Sequence, residues 1–143
     1  MPMCLIIDAN LCSVVLKKTN DTSYQKLRET IFSNRLTLIH GGKLTEEYNK
    51  AGVLGVIALL AQSGRAVRVS EALIQAELVK IQNLCTSNDD HVIALARADR
   101  QRARVLCTND QALVKDFKTK ALIDNPRGTV YSPRRHKASL ANC

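Results

Sequence analysis

The sequence is poor in aromatic residues and contains no tryptophan. Phenylalanine, tyrosine and tryptophan together make up 3% of its 143 residues. Proteins that bind single-stranded nucleic acid without sequence preference stack successive bases on exposed aromatic rings. So few rings argue against a binding platform of that kind.

The five cysteines are scattered, odd in number and without Cys-x-x-Cys spacing. We therefore expect neither a disulfide framework nor a cysteine zinc site. Cys4 and Cys107 lie in apolar runs, where we expect small core residues. The three histidines form no His-x-x-x-His zinc pattern, and we interpret His91 as structural. Free thiols fit a reducing cytosol.

No long hydrophobic run is present. The longest apolar stretch, residues 51–61, is shorter than the roughly 20 residues that a membrane-spanning helix needs. Residues 1–12 lack the basic segment and the apolar length of a signal peptide. We expect a soluble, cytoplasmic protein with no membrane partner.

Positive charge is what the sequence has in excess. Lysine and arginine number 21 against 13 acidic residues, which gives a net charge of +8. Such a surplus favours polyanions such as RNA, DNA or an acidic partner, without choosing among them. The alternative is a basic surface that is merely solvated.

Predicted strands alternate with helices along the chain. Apolar runs at residues 3–7, 35–40 and 103–108 predict strands, and residues 44–61 predict one long helix. The strands lack a period of two, as expected when helices cover both faces of a parallel sheet. We predict an α/β fold with a central parallel sheet of four to five strands flanked by helices on both faces.

The chain is expected to form one domain over residues 1–124. Residues 125–143 form a basic C-terminal segment, for which we expect an edge strand and a flexible tail. Asp21 and Thr22 predict the start of a helix, and residues 122–124 predict a further strand.

Two aspartates follow predicted strands. Asp8 comes after the first strand and Asp110 after the third. The carboxyl ends of parallel strands share one edge of a sheet, where ligands bind. Each aspartate also precedes a helix, so capping that helix is an alternative role.

Two further acids are placed by helix geometry. At about 100° per residue, Glu47 lies on the flank of a buried stripe and Glu46 on the far side, where Lys50 can pair with it. Glu47 has alternative roles in an ion pair with Lys43 and in a first turn, where it suits the helix dipole. In the stretch SNDDHVIALARA, Asp89 heads the buried stripe, and Asp90 lies one step around the helix. Asp89 also has an alternative role as a cap.

Four carboxylates at one edge would repel one another and raise one another's pKa. A divalent cation is the usual relief, and oxygen ligands suit magnesium or manganese. Asp116 is a candidate fifth contributor, but we favour its interpretation as a solvent-facing residue beside Lys115.

The ordered set of motifs resembles the PIN-domain ribonucleases. That family begins with a short strand ending in Asp, a small residue and Asn, Ser or Thr, as in IIDAN. Its second acid matches Glu47 in GGKLTEEY, its third Asp89 in NDDHVIALARA, and its fourth Asp110 in VLCTNDQALVKDF. The resemblance spans about residues 3–117. Members similar to this chain would have proline in place of Asp90.

The resemblance implies a metal-dependent endoribonuclease that leaves a 5′-phosphate and a 3′-hydroxyl. Magnesium or manganese would be held by Asp8, Glu47, Asp89 and Asp110. Asn10 and Thr108 would orient carboxylates and waters, or satisfy local backbone groups instead. The RNA would contact basic residues near the third acid and in the C-terminal segment: Arg97, Arg100, Arg102, Arg104, Arg127, Arg134, Arg135 and Lys137.

The resemblance leaves the biological role open between a toxin held by a protein antitoxin and an RNA-processing enzyme. Homodimers are common in the family, and residues 53–60 would supply an interface unless they form a core helix. Two other classes share part of this pattern. A haloacid dehalogenase-type phosphatase needs Asp where this chain has Asn10. A non-catalytic binding domain would not need the acids.

Overall fold

A computed structural model of the chain describes residues 5–33, 36–100 and 103–141. The predicted positions Cys4 and Arg102 lie outside these ranges. The described strands are β1 (Leu5–Ile7), β2 (Leu38–His40), β3 (Ala66–Arg68), β4 (Val105–Cys107) and β5 (Thr129–Val130). The described helices are α1 (Ala9–Leu16), α2 (Gln25–Phe32), α3 (Gly42–Lys50), α4 (Leu54–Gln62), α5 (Glu71–Lys80), α6 (Asp90–Ala98), α7 (Gln111–Phe117) and α8 (His136–Ser139). A 3-10 turn at Pro133–Arg135 precedes α8.

The five strands form one parallel sheet in the order β3-β2-β1-β4-β5. Every residue of β1, β2 and β4 is buried, as happens when helices cover both faces of a sheet. The predicted single α/β domain with a parallel sheet is therefore confirmed. None of the helices in the described ranges has the length and apolar character that crossing a bilayer requires.

The predicted long helix over residues 44–61 is wrong, because the chain forms two helices there. Gly52 adopts a left-handed φ of 75°. Its N–H donates to the carbonyl of Asn49, and the N–H of Val53 donates to the carbonyl of Tyr48. These two bonds form a Schellman motif, which ends α3. One face of α4 is buried through Ile57 and Leu60.

Two local predictions are also wrong. Helix α2 begins at Gln25, and the Asp21 carboxylate accepts the N–H of Ser23 outside the helix instead of capping it. Residues 122–124 form turns rather than a strand.

The C-terminal segment packs on the domain as far as residue 141. β5 is the predicted edge strand. Tyr131 is 5% exposed, and its hydroxyl lies 2.7 Å from Nδ1 of His136. The other ring nitrogen of His136 lies 3.3 Å from the hydroxyl of Thr30 in α2. These contacts join residues 131 and 136 to α2, and the flexible tail stays a prediction.

Candidate active site

The carboxyl ends of β1 and β4 lie side by side at the centre of the sheet. Ile7 pairs with Cys107, and the N–H of Asp8 donates to the carbonyl of Cys107 at 2.9 Å. This bond continues the ladder one residue past the strands. Asp8 and Thr108 consequently leave the sheet as neighbours.

Asp8 is a buried carboxylate held by two donors. One oxygen accepts the N–H of Ala9 at 2.8 Å, and the other accepts the hydroxyl of Thr108 at 2.7 Å. Burial raises the pKa of Asp8, and the charge of Glu47 raises it further. The bonds from Thr108 and Ala9 oppose that rise, as does the charge of His91. The environment therefore disfavours the ionised form despite two well-placed donors.

Glu47 and His91 connect α3 to α6 across the site. Oε1 of Glu47 lies at a hydrogen-bonding distance of 2.8 Å from Nε2 of His91. The other ring nitrogen of His91, Nδ1, has no hydrogen-bond partner among the described residues. Glu47 is half-buried whereas Glu46 is exposed, as the helical geometry predicts. The hydroxyl of Tyr48 donates to the carbonyl of Ile7, which anchors α3 beside the end of β1. Neither Glu46–Lys50 nor Lys43–Glu47 is an ion pair within the described ranges.

Asp89 and Asp110 face each other at the starts of α6 and α7. Burial raises the pKa of Asp89, and the charge of Asp8 adds to that effect. The nearby carboxylate of Asp110 raises the pKa of Asp89 as well. Asp90 is exposed, whereas Asp89 is half-buried. Glu47 thus acts on Asp8, and Asp8 and Asp110 act on Asp89. These links join four acids into one group, which we call the acidic site: Asp8, Glu47, Asp89 and Asp110.

Helix capping accounts for only part of this arrangement. One oxygen of Asp110 accepts the N–H groups of Ala112 and Leu113 at 3.0 and 3.2 Å, so Asp110 does cap α7. Asp89 occupies the cap position of α6 but makes no capping bond with its side chain. Among the N–H groups of α1, the Asp8 side chain accepts that of Ala9, whereas a capping residue accepts one from the second or third helical residue.

The donor chemistry of the acidic site fits magnesium or manganese, but its arrangement is not a complete cage. Among residues 5–33, 36–100 and 103–141, no three His, Cys, Asp or Glu side chains are placed to hold one metal ion. Magnesium usually keeps several waters and takes only one or two carboxylates from a protein. Asp89 and Asp110 would suit that smaller requirement, since both capping bonds of Asp110 go to a single oxygen, Oδ1.

Asn10 and Thr108 make different contacts. The Thr108 hydroxyl bonds to Asp8, which is the contact expected of a residue that orients a carboxylate. The Asn10 amide instead donates to the side-chain oxygen of Asn109. Asn109 was not identified from the sequence, because its partner is far away along the chain.

The interpretation of Asp116 as solvent-facing is wrong. Asp116 is 2% exposed, and it accepts the N–H groups of Thr86 and Ser87 as well as the Thr86 hydroxyl. Burial alone would raise the pKa of Asp116, but these bonds outweigh it and hold the pKa below its usual value. Ser87 in turn accepts the N–H of Asp89. Asp116 therefore secures the loop that carries Asp89.

The predicted RNA-contacting arginines differ in their contacts and in their distance from the acidic site along the fold. The Arg97 guanidinium donates to Glu77 at 3.0 Å and to the Leu122 carbonyl at 2.8 Å, so it joins structural elements. Arg104 lies before β4, at the edge of the sheet opposite the acidic site. Arg134 and Arg135 are exposed on the 3-10 turn after β5.

No family model, curated protein or solved structure matches this chain. The resemblance to PIN-domain ribonucleases therefore depends on the sequence motifs alone.

Proposed function

We propose that this protein is a metal-dependent ribonuclease that hydrolyses RNA phosphodiester bonds at the acidic site. The observation that carries the proposal is the closeness of four acids that come from four different parts of the chain. Glu47 raises the pKa of Asp8, and both Asp8 and Asp110 raise that of Asp89. Carboxylates that disfavour one another's charge in this way are typical of functional sites.

A divalent cation held by Asp89 and Asp110 would supply a water of lowered pKa and positive charge for the phosphate. The chain's own residues fix the surrounding oxygens. Thr108 orients Asp8, and His91 holds one oxygen of Glu47. No side chain needs to act as a nucleophile in such a site.

Positive charge beside the acids would bring the phosphates close to them. A shallow depression of about 390 Å³ is lined by Lys43 and Lys50 together with Glu46 and Glu47. Both lysines are exposed. Phosphate contacts of this kind give affinity without sequence choice.

A second candidate is an RNA-binding domain without catalysis. It is favoured by the finding that no three donors in the described part of the chain converge on one ion. It differs from the leading proposal in one measurable respect, because RNA would bind and remain intact in manganese.

The test uses the full chain, a fluorescein-labelled RNA, and magnesium or manganese. We expect cleavage by the wild type, and a loss of at least about a hundredfold in Asp89→Asn and Glu47→Gln. The exposed neighbours provide matched controls, because Asp90→Asn and Glu46→Gln remove the same charge one residue away. Both controls should keep activity near the wild-type level.

Manganese binding, measured by calorimetry, separates a catalytic defect from a binding defect. Asp89→Asn should weaken binding, whereas Asp90→Asn should not. Absence of cleavage in either metal, or equal cleavage by Asp89→Asn and the wild type, would rule out the nuclease proposal.

The resemblance extends the proposal to a toxin that a protein antitoxin restrains. Induced expression of the wild type should then arrest growth, and expression of Asp89→Asn should not. Normal growth with an active nuclease would favour an RNA-processing role.

A further inference from the structure

A cleft of about 570 Å³ lies beside the acidic site, between α7, β5 and the C-terminal segment. Thr108 and Asn109 line one end of it. Thr108 donates a hydrogen bond to Asp8, and Asn109 directly precedes Asp110 along the chain. Arg135 and Ser139 line it from the C-terminal segment. One end of the cleft is therefore formed by the residue that bonds to Asp8 and by the residue that precedes Asp110.

The charge of this cleft contrasts with that of the acidic site. Two cationic side chains line it, Lys118 from the end of α7 and Arg135 from the 3-10 turn, and both residues are exposed. None of the described residues that line it is acidic. A phosphate repelled by the four carboxylates would be attracted here.

The remaining lining suits a nucleotide. Tyr24 is half-buried in the cleft, with its ring centroid 6.3 Å from that of Tyr131, and Val114 adds apolar surface. Gln111 is exposed in the lining and carries an amide able to bond base edges. The volume lies within the roughly 300–1,000 Å³ typical of ligand sites.

We propose that this cleft binds the segment of single-stranded RNA that flanks the bond cut at the acidic site. The inference rests on the proposed nuclease function, because it assigns the path of that substrate. Lys118 and Arg135 contact the phosphates, and Tyr24 offers a single face against which one base packs. One such face differs from a platform of several rings, which the aromatic content excludes.

The experiment measures binding of a fluorescein-labelled eight-nucleotide RNA by anisotropy in EDTA, where a metal-dependent nuclease cannot cut it. The cleft variant is Lys118→Gln with Arg135→Gln. The control is Lys18→Gln with Lys120→Gln, which removes the same charge from exposed residues outside the cleft. We expect the cleft variant to bind about tenfold more weakly and to show a smaller salt dependence, and the control to change little.

A second measurement concerns catalysis in manganese. The cleft variant should raise KM and leave kcat nearly unchanged, because its residues touch the flanking strand and not the reacting atoms.

The outcomes separate this inference from the proposed function. Equal weakening in the two variants, or no weakening in either, would overturn the cleft inference while an active wild type keeps the nuclease proposal. RNA binding that depends on the cleft, without cleavage in any metal, would support the cleft and reject the nuclease. Unchanged RNA binding together with loss of a protein partner in the cleft variant would assign the cleft to that protein and overturn the inference.

Discussion

The hydroxyl of Thr108 donates a 2.7 Å hydrogen bond to the carboxylate of Asp8, a hundred residues away along the chain. This bond joins the ends of the two central strands and lowers the pKa of Asp8 against the effect of burial. Asp8 is 4% exposed, so little water is available to replace the donor.

Replacing Thr108 with valine should raise the pKa of Asp8 further and destabilise the fold by about 1.5–3 kcal/mol at pH 7. Thr108→Ser keeps the hydroxyl and should lose much less. Urea unfolding of both variants, with the Asp8 titration followed by NMR, checks the prediction. Equal stability of the valine and serine variants would show that the bond contributes nothing.

Asp8→Asn should abolish cleavage without destabilising the metal-free protein. Because burial and Glu47 raise the pKa of Asp8, removing its charge relieves repulsion. The wild type should also gain stability relative to the variant as the pH falls, since the folded state binds a proton more readily than the unfolded one. Thermal unfolding in EDTA at several pH values tests both points. A large loss of stability at pH 7 would instead indicate a structural role for the carboxylate.

Asp116→Asn should lower the free energy of unfolding by about 1–3 kcal/mol at pH 7, because it weakens the bonds that hold Thr86 and Ser87. Since the pKa of Asp116 is lowered, its contribution is present above the unfolded pKa of 3.8. It disappears as the pH falls through the still lower folded value. Urea unfolding at neutral pH gives the measurement, and the exposed Asp90→Asn serves as the control. No difference between these variants would contradict the role assigned to Asp116.

His40 makes the protein sensitive to mild acid. Burial, with a contribution from the charge of Arg68, lowers the pKa of His40 from 6.5 to about 4. Its Nδ1 lies 2.8 Å from the hydroxyl of Thr45. Its contribution to stability is complete above pH 6.5, and about 2 kcal/mol is lost by pH 5 because only the unfolded state takes up the proton. His40→Gln should remove that part of the decline between pH 7 and pH 5, as measured by urea unfolding. An unchanged decline would show that His40 is not its source.

Replacement by alanine should change the stability of the fold in opposite directions at Gly128 and at Gly55. A Cβ at Gly128 would lie 2.1 Å from the carbonyl oxygen of Phe117, so Gly128→Ala should destabilise the fold by about 1–3 kcal/mol. A Cβ at Gly55 in α4 meets no atom within 4 Å. Gly55→Ala should therefore stabilise by up to about 1 kcal/mol. Thermal unfolding of the pair checks both signs, and a stabilising change at Gly128 would contradict the packing described here.

The sequence predicts the positions of the acids because their placement depends on local geometry. Asp8 and Asp110 follow strands whose apolar runs are clear, and the helical angle per residue distinguishes Glu47 from Glu46. The parallel sheet follows from the alternation of strands and helices.

Contacts between distant parts of the chain could not be predicted in this way. Asp116 is buried because of donors thirty residues earlier, and His91 meets Glu47 on another helix. The break at Gly52 is not evident because the helical stripe of Leu44, Tyr48 and Ala51 leads directly into the apolar residues 53–61. Local composition contains no record of these pairings.

The longest strands of the sheet contain only three residues, a length of about 10 Å. Ile7 is therefore both a core residue and the immediate neighbour of Asp8, and Cys107 stands in the same relation to Thr108. No intervening layer of structure separates the hydrophobic interior from the carboxylates. Mutational tolerance should consequently be low in β1 and β4, where repacking for stability would also shift the acids. Selection for activity would then act as selection for packing at the same positions.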